Sequence, residues 1–141
     1  MDVSQPILQD NFNAANQSMN LTPQEQNLYQ MHLSNLWGPG GVDNEDGSRS
    51  TLYQSVQEHN GSYYSIPTVW NGKRETESWT RPSDGQTFDV PNATALANVD
   101  KMGWDKFPSG PDPDALDARY GQMHDYMEKD THAYFTSQQS N

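Results

Sequence analysis

The chain predicts a small α+β domain, and three separately punctuated segments carry that prediction. A helix opens on Thr22-Pro23 with Glu25 three residues after the threonine, a tight hairpin turn stands at Asn60-Gly61, and an amphipathic helix opens at Asp112-Pro113.

Residues 1–21 come first, rich in Asn, Gln and Ser, with Ile7, Leu8 and Phe12 scattered among them. No period holds there, so the stretch reads as an extended or disordered arm whose apolar residues anchor on a neighbour. The first helix follows. Tyr29, Leu33, Leu36 and Trp37 form one apolar stripe, the last three being core candidates, and Gly38-Pro39-Gly40-Gly41 ends it. After a polar loop at 42–50, segments 51–58 and 63–70 read as the two strands of the hairpin. They offer Leu52, Val56, Ile66 and Trp70 to the core, and Pro67 marks an edge or a bulge. A second Asn-Gly, at 71–72, marks another turn.

Residues 73–92 hold two prolines and no sustained period, so they read as a long irregular loop with a short strand near Thr87–Val90. Such a loop needs contacts elsewhere, which makes Trp79 and Phe88 interface candidates. Asn92 caps a short helix over 93–102 that stops at Gly103. Trp104 and Phe107, both core candidates, precede a Pro-Ser-Gly-Pro turn. In the last helix Leu116, Tyr120, Met123 and Met127 make a buried face. That helix is expected to run to about Phe135, before a frayed tail at 136–141. Residues 22–135 thus form the single small domain.

Leu, Ile, Val and Phe make up only 20 of 141 residues, and the formal net charge is −11. A chain so poor in aliphatics cannot bury much surface alone, and its neighbours are expected to complete its ordering. Roughly a third of the residues are Asn, Gln, Ser or Thr, suited to large wet interfaces. Eight basic residues against nineteen acidic ones argue against direct nucleic-acid binding. No apolar run approaches the length of a membrane span, and residues 1–10 lack the basic start and apolar stretch of a signal peptide.

Few motifs suggest chemistry. The absence of cysteine removes disulfides and thiolate nucleophiles. Asp43-Asn44-Glu45-Asp46-Gly47 fails as a calcium loop, because placing Gly47 at the sixth position puts Val42 first and Tyr53 twelfth. The four histidines lack zinc-motif spacing, and Asp125, Glu128 and Asp130 beside Lys129 read as a solvated helix face. No enzyme activity, cofactor or metal is expected.

Four stretches carry a resemblance: GPGGVDNEDGSRSTLYQ (38–54), YSIPTVWNGK (64–73), GWDKFPSG (103–110) and ARYGQMHDYMEKDT (118–131). In combination they resemble a small protein family found in the structural-gene regions of tailed, notably short-tailed, bacteriophages. The likeness covers about residues 22–132. It departs at 74–96, which lack the acidic Ala-rich helix expected after the IPTVW strand. The resemblance implies a non-enzymatic virion protein of the tail or the head–tail junction. Such a protein binds other virion subunits (tail, adaptor or portal-proximal) in several symmetric copies and carries no catalytic residues. Its rivals are a capsid decoration protein, an ejected internal virion protein and, more remotely, an accessory enzyme of the infected cell.

Overall fold

The computed structural model describes residues 5–139, with side chains from Gln9 to Ser137. It is an α+β fold in which three helices share one core and small antiparallel sheets cover its side.

Helix α1 (Gln5–Met19) replaces the expected arm. Phe12, Ala15 and Met19 recur at helical spacing, and all three belong to or pack on the core. Met1–Ser4 lie outside the described residues. Helix α2 (Pro23–Trp37) begins as its sequence dictates: Thr22 accepts from the Glu25 N–H at 3.1 Å, and Glu25 accepts from the Thr22 N–H at 2.9 Å. This reciprocal capping box satisfies two N–H groups that the helix cannot pair internally. Leu28, Tyr29, His32, Leu33 and Leu36 make its buried face.

Strands β1 (Val42–Asp43) and β2 (Arg49–Ser50) turn the 42–50 segment into a minimal ladder. Strands β3 (Ser55–His59) and β4 (Ser62–Ile66) pair in register around Asn60-Gly61, whose φ angles of +52° and +86° are those a tight hairpin turn needs. β4 ends before Pro67. Strands β5 (Val69–Trp70) and β6 (Lys73–Arg74) close on Asn71-Gly72, where the Gly72 N–H donates to the Gly40 carbonyl at 3.0 Å.

The expected loop at 73–92 is largely a hairpin, with β7 (Thr76–Thr80) paired to β8 (Thr87–Pro91). Both faces are mostly exposed, so one-sided burial never wrote the alternation that marks a strand. Helix α3 (Ala93–Met102) carries its Asn92 cap and its Gly103 stop. A 3₁₀ turn over Trp104–Lys106 leads to β9 (Ser109–Gly110), which pairs with β4 where a free turn was expected. Helix α4 (Pro113–Gln139) runs four residues past Phe135, and the rest of the expected frayed tail, Ser140 and Asn141, lies outside the described residues.

The core gathers Leu28, Tyr29, Leu33, Leu52, Ile66, Val99, Phe107, Met123 and Met127, with Trp37, Trp70, Trp104 and Tyr120 half-buried against it. Leu36 is also buried. Two expected core residues lie outside it. Val56 is half-exposed because Tyr53, at φ +46°, breaks the phase between Leu52 and β3. Leu116 borders an open groove between the first turns of α2 and α4.

Candidate interaction surface

The β7–β8 hairpin is the part of the molecule least explained by its own packing. Side chains alternate across a strand, so its register sorts the residues onto two faces. Glu77 and Trp79 share one face with Val90 and Phe88, while Thr76, Ser78 and Thr80 share the other with Pro91, Asp89 and Thr87. Trp79 and Phe88 stand directly opposite one another, with ring centroids 6.2 Å apart and planes tilted by 31°. They remain 46% and 38% exposed. Arg81 lies over the Phe88 ring, 5.1 Å from its centroid, and pairs with Asp84 in the turn.

The polar face is held by Tyr53 and by the burial of Pro91. The Tyr53 hydroxyl donates to Asp89 at 3.0 Å, and the Arg74 guanidinium covers the Tyr53 ring at 4.0 Å. Accepting from Tyr53 makes the Asp89 carboxylate resist phenol ionisation, which raises the Tyr53 pKa. Among the described residues no such hydrogen bond reaches Trp79 or Phe88, and a two-stranded ribbon is marginal by itself. It is a braced platform whose apolar side faces solvent.

Of the other expected interface residues, Phe12 packs inward, edge-on to the Tyr29 ring at 5.4 Å. That corrects its assignment as a partner anchor, because a helical α1 turns it toward α2. Ile7 and Leu8 fall on the first turns of α1, and their side chains lie outside the described residues.

A second cluster, unannounced by composition, sits at the centre of the helices. Asp130 is only 1% exposed. It accepts from the Tyr29 hydroxyl at 2.5 Å and from the Asn11 amide at 2.8 Å. His32 Nε2 approaches it at 3.6 Å, too far for a hydrogen bond, and His32 Nδ1 meets Thr51 Oγ1 at 2.7 Å. One carboxylate therefore joins α1, α2 and α4, and through His32 the segment before β3. The solvated-face reading of Asp130 is thereby corrected. Met123, Met127 and Asp130 follow one another at steps of four and three, so the apolar stripe itself could have located the carboxylate.

Burial lowers the His32 pKa; Asp130 partly offsets this and the nearby His124 adds to it. Burial and Asp130 together raise that of Tyr29. The unfolded chain takes up a proton on His32 near pH 6.5 and the folded chain only at lower pH, so stability falls as pH drops through that window. Urea midpoints measured between about pH 7 and about pH 5 should decline, and His32→Gln should flatten the decline. A midpoint that rises with acid would contradict the neutral, buried imidazole.

Thr51, His32 and Asp130 thus lie in one line between the segment before β3 and the helices. The two Asp130 oxygens accept one each, Oδ1 from Asn11 and Oδ2 from Tyr29. Among the described residues, no group of three or more His, Asp or Glu could hold a metal ion, and no helix is long and apolar enough to cross a membrane. No family model, curated protein or solved structure matches this chain.

Proposed function

We propose that the chain is a non-enzymatic structural component of a larger particle, docking on a neighbouring subunit through the aromatic face of the β7–β8 hairpin. The observation that carries this reading is the Trp79–Phe88 pair, two large rings presented on a braced ribbon and left in solvent. Burying either ring on a partner contributes about 1.5–3 kcal/mol, and a ribbon fixed at its base loses little entropy on docking.

The resemblance of residues 22–132 to proteins of tailed bacteriophages supports a virion as that particle, at the tail or the head–tail junction and in several symmetric copies. A charge of −11 suits a surface beside a DNA passage, where it repels passing phosphate. The test is quantitative mass spectrometry of purified particles. Recovery at a fixed ratio set by the tail's rotational symmetry supports the reading. A ratio matching the shell subunit count makes the chain a decoration protein, and recovery in the soluble lysate alone overturns the assembly role.

A further inference from the structure

The chain contains two Asn-Gly turns of the same design, and their surroundings differ. Asn60 and Asn71 both have left-handed φ angles, +52° and +54°. At the second turn the Gly72 N–H is engaged by the Gly40 carbonyl, and a Cβ added to Gly72 would meet the Pro39 carbonyl oxygen at 3.2 Å. At the first turn nothing lies within 4 Å of such a Cβ on Gly61, and no hydrogen bond holds the Gly61 N–H among the described residues. His59 lies beside it. Its ring stacks on Trp104 at 4.1 Å with planes 4° apart, and its Nε2 is 3.2 Å from the Asn60 side-chain nitrogen.

We infer that Asn60 is a site of spontaneous deamidation promoted by His59, and that Asn71 is shielded from the same reaction. The Gly61 backbone nitrogen gives up its proton to solvent base and bonds to Asn60 Cγ. The bond from Cγ to Nδ2 breaks as that nitrogen takes a proton from the His59 imidazolium and leaves as ammonia. Water then opens the resulting succinimide at either carbonyl, leaving aspartate or isoaspartate at position 60. No oxidant or cofactor enters, and the chain gains one negative charge.

The reaction needs a nucleophilic backbone nitrogen and a turn free to rotate toward ring closure. At Gly61 the N–H is unengaged among the described residues and the space around it is open. Gly72 meets neither until its bond to Gly40 opens, a handicap of about fivefold, the rate equivalent of one ordinary hydrogen bond. The stack on Trp104 keeps the His59 imidazole at the leaving nitrogen, where Nε2 accepts from the Asn60 amide and, once protonated, can return a proton to it.

The test incubates the full chain at near-neutral pH, where part of the histidine is protonated, and follows both positions by peptide mapping. Position 60 is expected to convert at least about fivefold faster than position 71, and His59→Gln to slow position 60 by a similar factor while leaving position 71 unchanged. In urea-unfolded chain the two rates should converge. Equal or faster conversion at position 71 in the folded chain overturns the inference, as does a rate difference that persists after unfolding. An unchanged rate at position 60 in a folded His59→Gln variant overturns the part given to His59.

Discussion

Asp130→Ala is expected to lower the free energy of unfolding by about 3–5 kcal/mol. The carboxylate is 1% exposed and is the acceptor for the Tyr29 hydroxyl and the Asn11 amide. Removing it strands both donors in the core, at about 1–3 kcal/mol each, and leaves a cavity beside Met127. A small domain has only about 5–15 kcal/mol to lose, so urea midpoints should shift sharply. Asp130→Asn keeps the shape and one acceptor oxygen, and should cost clearly less. A loss under about 1 kcal/mol for the alanine variant would show that water takes over as partner, and that the hub does not hold the helices together.

The double variant Trp79→Ala, Phe88→Ala should behave in the opposite way. Both rings sit on the outer face of a two-stranded ribbon, so the isolated chain should lose no more than about 1 kcal/mol, the worth of one cross-strand pair. Recruitment to the particle should fall by about 30-fold or more, because a central aromatic pair carries at least about 2 kcal/mol of a typical interface. Chemical denaturation of the free chain and co-sedimentation with particles measure the two effects separately. A large stability loss would make the pair a structural part of the hairpin, and normal recruitment would remove the docking role.

The sequence was most legible where local chemistry decides. The capping box at Thr22 and Glu25, the Asn-Gly turns and the Asn92 cap all act within a few residues, and each appears where expected. It was least legible where burial is split or polar. Helix α1 hid because its buried stripe includes Ala15, fully buried yet too small to mark a period among so many Asn and Gln residues. Strands β7 and β8 hid because neither face is buried. Asp130 hid because a carboxylate on an apolar stripe reads as an exception rather than as its centre. Of the candidate surface, Trp79 and Phe88 were visible as aromatics without an internal role, but their standing opposite one another depends on a register that no local signal announces.

Asn11 and Asp130 meet across 119 positions of the chain. During synthesis Phe12 can pack on Tyr29 as soon as α2 forms, but the link from Asn11 to Asp130 waits until α4 has emerged. A product cut short before α4 lacks Asp130 and leaves the Asn11 amide and the Tyr29 hydroxyl without their shared acceptor. Only chains that carry α4 can fasten all three helices, which gives the cell a simple way to keep copies lacking it out of whatever they would otherwise join.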